Sequence, residues 1–337
     1  MYNRYIRKEV FMLFPKFIKK GQTIGICAPS AGVGHKINDY LTSIEYLKKV
    51  GFHLLETKSV RLDALTGGSK EERGKEFNEL VCNDAVNMIG IAAGGDFLYD
   101  CLPYVDFKAI LEHPKWVMGM SDPTSILYTI TTKYDVATIY GMNVGQYDQH
   151  QLDCVQDNLE IIQGRKTTQQ QYPHYLSKPT FEVDEIIYDK PTEYLSNCPK
   201  INVSGRCIGG CIDVLKDIIG TPYDGTKEYI ERYQEDGLIW YFDNYSLSSE
   251  NLYRTLLQFR YAGWFHNTKA ILIGRTCIEN TDTGLDYQDG IFKALDGIPV
   301  ISQVDVGHTY PHFTMINGAL MSLTYENQDL KFTFEYK

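Results

Sequence analysis

Long hydrophobic runs are missing from this sequence. Its longest apolar stretches fall far below the roughly 18 residues that crossing a membrane requires. Basic residues are also in the minority, because 33 Lys and Arg stand against 43 Asp and Glu and leave a net charge of −10. A chain this acidic is repelled by phosphate backbones and by anionic membranes. We therefore expect neither nucleic acid nor a membrane as its partner.

Closely spaced cysteine pairs are missing as well. The eight cysteines are scattered along the chain without a CxxC motif, and no Cys or His cluster completes a zinc ligand set. Cys207 and Cys211 are four apart and could share a helix face. Neither Gly32–Gly34 nor Gly94–Gly95 matches the dinucleotide fingerprint. The sequence therefore predicts no metal and no other cofactor.

The first twenty residues lack the pattern of a secretory signal. The apolar run at 10–14 is shorter than the ~7-residue minimum of a signal-peptide core, and lysines follow where small residues would stand. We interpret residues 1–20 as an amphipathic lead-in and expect a cytoplasmic chain. Cysteines in that compartment are reduced, and most are buried.

Short apolar runs alternate with helical patterns in the first half of the chain. Buried strands are predicted at 22–28, 52–55 and 86–93, and helices at 37–50 and 70–82. This alternation predicts an α/β fold with a parallel, doubly wound sheet, whose sites lie at the carboxyl ends of the strands. The 337 residues are enough for two domains or one large one.

A change in composition marks the connection between two domains. Residues 166–200 contain several prolines and many tyrosines, so we place a linker there, after an N-terminal domain at 1–165 and before a C-terminal domain at 201–337. The tyrosines either cover a binding cleft or pack as ordinary interface aromatics.

In the second half, the spacing predicts further elements. Residues 203–215 are interpreted as a turn that leads into a helix. Strands are predicted at 238–242 and 270–273, and an antiparallel pair at 323–326 and 330–334, where apolar and polar residues alternate.

Ser121 lies at a predicted strand-to-helix corner. The apolar run 116–118 indicates a buried strand, Gly119 breaks it, and Pro123 suits the first turn of a helix. A serine at such a corner is close to backbone donors and to the positive end of the helix dipole. It is either a nucleophile or, more commonly, an N-cap.

Other loops at strand ends carry candidate residues. Gly94–Gly95 is either a plain turn or a backbone that approaches a substrate closely. Asp243 ends a strand and suits a carboxylate that orients a base, although a loop Asp is usually a helix cap. Residue chemistry does not select His308 over His312 as that base.

Several motifs in a fixed order resemble the serine LD-carboxypeptidase family. This family includes muropeptide LD-carboxypeptidases and microcin C immunity peptidases. The similarity runs from about Gly21 to Gly318. Its markers are GQTIG…APS at 21–30, GG at 94–95 with LPYVDF at 102–107, GMSD at 119–122, GxxxGG at 205–210, GT at 220–221 and GHTxP at 307–311.

The resemblance implies a role for each candidate. Ser121 matches the nucleophile and His308 the base, while Asp243 stands where the family has Glu. Backbone N–H groups of Gly95 and Asp122 are the implied oxyanion donors. The candidate substrate contacts are Gly94, Asp96, Tyr194 and Arg275, the last for a substrate carboxylate. Cys211 stands where many members have Asn.

The resemblance also implies the architecture and assembly of the protein. A Rossmann-like N-terminal domain is joined to a smaller, mixed α/β C-terminal domain, with the site in the cleft between them. We expect a homodimer, as is common in the family.

Two kinds of substrate fit the resemblance. One is the L,D-bond of a cell-wall muropeptide, and the other is the amide of a peptidyl- or aminoacyl-nucleotide toxin, which would make the protein a self-immunity factor. A relative that binds ligands without catalysis is an alternative, suggested by the Asp in place of Glu. An α/β-hydrolase is rejected, because its elbow needs Gly where this chain has Pro123.

Overall fold

A first sheet with five parallel strands organises the N-terminal half of the computed structural model, which describes residues 11–337. The strands are β1 (Thr23–Cys27), β2 (His53–Glu56), β3 (Met88–Ile91), β4 (Trp116–Gly119) and β5 (Thr138–Tyr140). They follow the order β5-β4-β3-β1-β2, so the direction of winding reverses between β1 and β3. Loops part at such a reversal and leave a crevice at the carboxyl edge. The predicted doubly wound sheet is confirmed.

Helices connect the strands of this sheet. They are α1 (Ile37–Lys49), α2 (Lys70–Cys82), α3 (Ala109–Glu112), α4 (Thr124–Tyr134) and α5 (Asp153–Ile162). β3 and β4 are buried along their whole length, as expected for a parallel sheet covered on both faces. α1 and α2 agree with the predicted helices to within one residue.

A second, mixed sheet includes most of the C-terminal half. Its strands within residues 11–337 are β6 (Thr168–Gln170), β9 (Leu195–Ser196), β10 (Lys200–Cys211), β11 (Leu238–Asp243), β12 (Thr268–Gly274), β13 (Val300–Val304), β15 (Leu320–Glu326) and β16 (Asp329–Glu335). Their order is β6-β16-β15-β10-β11-β12-β13-β9, with β10 to β13 parallel. β15 and β16 pair antiparallel and alternate between buried and exposed residues, which confirms the predicted pair.

The prediction of a turn at 203–211 was wrong, because this stretch is the long central strand β10. Its glycines suggest a turn, yet they are required by close packing. A Cβ on Gly209 would lie 1.9 Å from the backbone oxygen of Tyr241 on the neighbouring strand. One on Gly210 would lie 2.5 Å from the Thr124 side chain. The predicted helix follows only afterwards, as α6 (Ile212–Ile218).

The segment 166–200 adds strands to the second sheet instead of running free. Its ends form β6 and β9, and a small hairpin of β7 (His174–Tyr175) and β8 (Lys190–Pro191) lies between them. Tyr172 and Tyr194 are buried, so these two pack as interface aromatics.

The two sheets are joined where the chain returns from the second sheet to the first, and where side chains from both halves pack together. β14 (Met315–Asn317) follows the second sheet in sequence but pairs antiparallel with β5 of the first. Tyr128 on α4 stacks on Trp264, with ring centroids 5.4 Å apart. The domain limits drawn from the sequence stay a prediction.

The remaining helices pack in the C-terminal half. They are α7 (Thr226–Arg232), α8 (Ser249–Tyr261) and α9 (Tyr287–Ala294). No helix within residues 11–337 is both long and apolar enough to cross a membrane.

Half of the predicted amphipathic lead-in, residues 1–10, lies outside the described residues. From residue 11 onward the segment packs on the first sheet. Leu13 forms a β-bridge with Val136, and Met12 and Ile18 are buried.

Candidate active site

The corner between β4 and α4 holds Ser121 in a strained conformation. Its φ is +75°, a left-handed value that costs a non-glycine residue about 1–2 kcal/mol. The helix begins at Thr124 with Pro123 as its N-cap, so Ser121 does not cap it. A serine on a strained strand-to-helix turn presents its hydroxyl outward, as nucleophiles do.

Side chains of the first sheet hold this corner on both sides. The Asn143 carboxamide accepts a hydrogen bond from the Met120 N–H at 3.0 Å and donates one to the Met120 oxygen at 3.2 Å. The Tyr140 hydroxyl accepts a hydrogen bond from the Ser121 N–H at 3.2 Å. The position of the Ser121 backbone is therefore fixed by β5 and the loop after it.

Asp243 and His308 form a charge contact in the second sheet. Asp243 ends β11 and is fully buried, and its Oδ2 lies 2.8 Å from Nδ1 of His308. The contact lies off the direction of the ring N–H, so it is electrostatic more than an aligned hydrogen bond. The other oxygen, Oδ1, accepts the His308 backbone N–H at 3.3 Å. The structure thus brings the proposed acid and base together.

Gly307 lets the base segment lie directly on the carboxylate. Its φ is +102°, and a Cβ there would lie 1.9 Å from Oδ1 of Asp243. This close approach lets an Asp, one methylene shorter than the family's Glu, reach the imidazole.

A hydrogen-bonded bridge runs from the acid to the nucleophile. The buried Tyr140 hydroxyl donates to Oδ2 of Asp243 and accepts from the Ser121 N–H. Burial and the neighbouring carboxylate raise the pKa of Tyr140, so it remains a donor. Within residues 11–337 no hydrogen bond joins the Ser121 hydroxyl to His308. Such bonds are often long in unliganded sites.

The two candidate histidines have opposite environments. Burial lowers the pKa of His308, but the Asp243 carboxylate outweighs this effect, and the net pKa is above its usual value. The side chain of His308 is 16% exposed and can meet a substrate. His312 is buried against Met142 and the Thr309 oxygen, and burial lowers its pKa to about 4. His308 is therefore the better placed base.

The Gly94–Gly95 loop lies against Ser121. A Cβ on Gly94 would lie 3.2 Å from the Ser121 hydroxyl oxygen, so this loop flanks that hydroxyl. Within the described part of the chain, the N–H groups of Gly95 and Asp122 donate no hydrogen bond. Both are free to receive an oxyanion.

Two buried charged residues, which sequence reasoning did not identify as supports, hold the loops at this edge. The Asp122 carboxylate accepts from the Ser30 hydroxyl at 2.5 Å and from the Leu98 N–H at 2.9 Å. Arg73 on α2 is 1% exposed and donates to the Pro29 oxygen at 2.7 Å and to the Phe97 oxygen at 2.8 Å. These contacts tie the loops after β1 and β3 to the Ser121 corner.

The other proposed substrate contacts differ in accessibility. Asp96 is exposed on the Gly94–Gly95 loop. Tyr194 is fully buried, and its hydroxyl donates to Asp305. Arg275 is 3% exposed and forms an ion pair with Asp305 at 2.5 Å. Tyr194 and Arg275 are thus buried and paired with Asp305, and the substrate-binding roles predicted for them stay predictions.

Cys211 completes a cluster that the sequence did not reveal. Its sulfur, the Asp243 carboxylate and a His308 ring nitrogen all lie within 4.8 Å of one another. Burial raises the pKa of the Cys211 thiol well above its usual value. Metal-ligand spacing in a sequence reveals only ligands that are close together in the chain, whereas these three residues meet only in the fold. They are the His, Cys and acidic residues of 11–337 that are grouped tightly enough to hold a metal ion.

Protein-family models match both halves of the chain. Residues 24–141 match the LD-carboxypeptidase N-terminal domain, and residues 204–323 match the LD-carboxypeptidase C-terminal domain. Together the matched ranges include well over half of the sequence.

Two curated proteins are similar along nearly their whole length. The microcin C7 self-immunity protein of Escherichia coli is 27% identical over 331 residues, which cover 94% of each chain. A Bacillus subtilis protein named "Probable murein peptide carboxypeptidase" is 24% identical over 326 residues, covering 93% of this chain and 92% of its own.

Solved structures share the fold. The microcin C7 self-immunity protein in complex with aspartyl sulfamoyl adenosine superposes with a TM-score of 0.80 at 24% identity, covering 96% of this chain and 99% of that chain. The muramoyltetrapeptide carboxypeptidase from Oxalobacter formigenes has a TM-score of 0.74 at 20% identity, covering 93% and 98%. Since both domain models match in order and the fold agrees, the chain belongs to the LD-carboxypeptidase family of peptidases.

Proposed function

We propose that the protein hydrolyses an amide bond near a substrate carboxyl terminus, with Ser121 as nucleophile, His308 as general base and Asp243 as the orienting carboxylate. The observation that carries the proposal is the 2.8 Å contact between His308 Nδ1 and Asp243 Oδ2. The same carboxylate is joined to the Ser121 backbone through Tyr140. A buried acid, a partly exposed base and a strained serine are the parts that acyl transfer needs.

The reaction proceeds in two acyl-transfer steps. His308 takes the proton of the Ser121 hydroxyl as its oxygen attacks the amide carbonyl, and Asp243 stabilises the resulting imidazolium. His308 then gives this proton to the leaving amine, and the C–N bond breaks. Water attacks the acyl-enzyme by the reverse route and releases the acid.

Backbone groups stabilise the tetrahedral intermediate. The N–H groups of Gly95 and Asp122 donate to the oxyanion. Asp122 directly follows Ser121, Gly95 directly follows Gly94, which lies against the Ser121 side chain, and neither N–H has another acceptor within residues 11–337. Gly94 and the exposed Asp96 contact the substrate on the same side of the cleft.

The preferred substrate is an amide that joins an amino acid or a peptide to a nucleotide-like group. The microcin C7 self-immunity protein supports this choice, with the higher identity and the higher TM-score. The second candidate is the L,D-bond of a muropeptide, supported by the murein and muramoyltetrapeptide carboxypeptidases.

One incubation separates these substrates. The purified protein is mixed with an aspartyl sulfamoyl adenosine and with a muramoyl tetrapeptide, and the products are weighed by mass spectrometry. We expect free aspartate and sulfamoyl adenosine from the first. Release of D-Ala from the second alone would favour the muropeptide substrate.

A variant at the nucleophile tests the chemistry itself. Ser121→Ala should lose roughly 10³-fold or more in rate, and a reagent for active-site serines should label the parent at Ser121. Equal cleavage by Ser121→Ala would refute the mechanism. A parent that neither cleaves nor is labelled would instead be a binding protein.

We further propose that the enzyme is a cytoplasmic homodimer, which rests on the family resemblance. Light scattering after size-exclusion chromatography should give a mass near twice the 38.6 kDa of one chain. A single-chain mass at micromolar concentration would contradict the dimer.

A further inference from the structure

Cys211 lies within the proposed catalytic cluster, yet the mechanism does not use it. It ends β10 as Asp243 ends β11, and the two residues are direct partners in the parallel register of these strands. His308 reaches the same place from the loop after β13. The sulfur, a carboxylate oxygen and a ring nitrogen all lie within 4.8 Å of one another.

These three donors match the ligand chemistry of zinc. Zn²⁺ binds cysteine sulfur at about 2.3 Å and histidine nitrogen or carboxylate oxygen at about 2.0–2.2 Å, with tetrahedral geometry. Two ligands of one zinc ion therefore lie roughly 3.3–3.8 Å apart. For an ion to bind, the 2.8 Å contact between Asp243 Oδ2 and His308 Nδ1 has to lengthen by about 0.5 Å, and the sulfur, which lies within 4.8 Å of a carboxylate oxygen and a ring nitrogen, has to approach.

The carboxylate has room for an ion. An ionised carboxylate offers about four acceptor positions. Asp243 uses one position on Oδ2 for the Tyr140 hydroxyl and one on Oδ1 for the His308 N–H. Each oxygen therefore keeps one further acceptor position, and Oδ2 lies 2.8 Å from Nδ1 of His308.

The cysteine is held in place by its own contacts. Its N–H donates to the Thr124 hydroxyl at 3.0 Å, and its thiol contacts an Asp213 carboxylate oxygen at 3.6 Å. Asp213 is itself fixed by the N–H groups of Tyr245 and Ser246, each at 3.0 Å. Metal binding removes the thiol proton that Asp213 accepts, and the charge of the ion offsets the repulsion between thiolate and carboxylate.

We propose that Cys211, Asp243 and His308 form a reversible Zn²⁺ site, and that the bound ion inhibits the peptidase by occupying its base and its acid. The ion enters from the cleft, where the His308 side chain is 16% exposed. The thiol releases its proton as the zinc–sulfur bond forms and regains it when the ion leaves, while the neutral imidazole binds through the lone pair of one ring nitrogen and keeps its proton on the other. A water molecule completes the four ligands.

Inhibition rests on the proposed function, but binding does not. Binding is therefore measured directly, by titrating Co²⁺ into the purified full chain and following thiolate-to-cobalt charge-transfer absorption. Zn²⁺ affinity follows from competition. Cys211→Ser is the test variant, and Cys82→Ser is its control, because Cys82 is exposed and far from the cluster in sequence.

The expected result is one Co²⁺ per chain, with the band present in the parent and in Cys82→Ser. Cys211→Ser should lose the band and about 10–100-fold or more in Zn²⁺ affinity. His308→Gln should weaken binding similarly, which covers the case in which Cys211→Ser does not fold. Ser121→Ala should bind normally, so a failure of the catalytic proposal is distinguishable.

Two outcomes would overturn the site. One is a band and a Zn²⁺ affinity that survive in both Cys211→Ser and His308→Gln, which would place the ion elsewhere. The other is no band in the folded parent at millimolar Co²⁺. If the parent cleaves substrate, full activity with the ion bound would overturn the inhibition.

Discussion

The nucleophile corner and the acid–base pair are positioned in different ways. Ser121 lies between consecutive elements, and its supports Tyr140 and Asn143 come from the next strand and loop. Asp243 and His308 are 65 residues apart and meet only because β11 and β13 belong to one sheet. Local geometry therefore sets the nucleophile, whereas tertiary packing sets the base. Changes in the second sheet should therefore disturb the pair more than the corner.

The strongest test of this contrast compares two histidines four residues apart. His308→Gln should lower kcat about 10³-fold or more, because the base contacts the reacting atoms. His312→Gln should lower the melting temperature instead, since His312 is buried in the core. Rates and melting curves of both variants separate these effects. The assignment of the base is wrong if His312→Gln folds normally and alone loses activity.

Substitution of Gly307 should cause the next largest loss in kcat, because this residue packs directly on Asp243. In Gly307→Ala the new Cβ would lie 1.9 Å from Oδ1 of Asp243 and would push the base segment away. A displacement of about 1 Å at the base should cost about 10²-fold in kcat.

Gly297→Ala is the matched control for Gly307→Ala. Gly297 also has a positive φ, +80°, but a Cβ there meets nothing within 4 Å. Its substitution should lower the free energy of unfolding by about 1–2 kcal/mol and leave kcat unchanged. Equal kinetic losses in both variants would show that backbone strain, not contact with Asp243, is responsible.

A smaller effect on kcat is expected at Tyr140, which links the Ser121 corner to the Asp243–His308 pair. Tyr140→Phe leaves the Ser121 N–H and Asp243 without their shared hydroxyl, which should lower kcat about 10–100-fold with little change in KM. Tyr241→Phe is the control, because its equally buried hydroxyl binds Asn317 at 2.9 Å, outside the triad. Similar kinetics in the two variants would show that the Tyr140 hydroxyl has no specific role in the reaction.

The smallest effect is a shift along the pH axis. The base acts as neutral imidazole, and the net pKa of His308 is raised, so kcat/KM should increase with pH through a midpoint above the usual value of about 6.5. In Asp243→Asn the carboxylate that chiefly opposes the effect of burial on the His308 pKa is removed, and the midpoint of the residual activity should move to lower pH. Profiles of kcat/KM between about pH 3 and 9 show the direction. A midpoint near 4 in the parent would point to His312.

The sequence predicted the Ser121 corner, which consecutive elements form, better than the Asp243–His308 pair, whose residues are far apart in the chain. The apolar run before Gly119 and the proline at 123 indicated the corner, and both elements are present. The same signals could not select His308 over His312, because burial and distance to Asp243 exist only in the fold. That choice came from the family motif.

Other contacts carried no sequence signal of their own. Tyr140 ends an ordinary apolar strand, and Arg73 lies among the charged residues of a polar helix, yet both are almost fully buried. The glycines of β10 suggested a turn because their partner, Tyr241, is distant in sequence. Side-chain spacing reports the face of an element, but not what packs against it.

The most direct measurement is kcat for Ser121→Ala, His308→Gln and the double variant. Residues that act as one unit lose nearly the whole effect when either is removed. We expect the double variant to be no slower than the slower of the two single variants. Losses that multiply, or a Ser121→Ala enzyme as fast as the parent, would contradict the coupling of the corner to the acid–base pair.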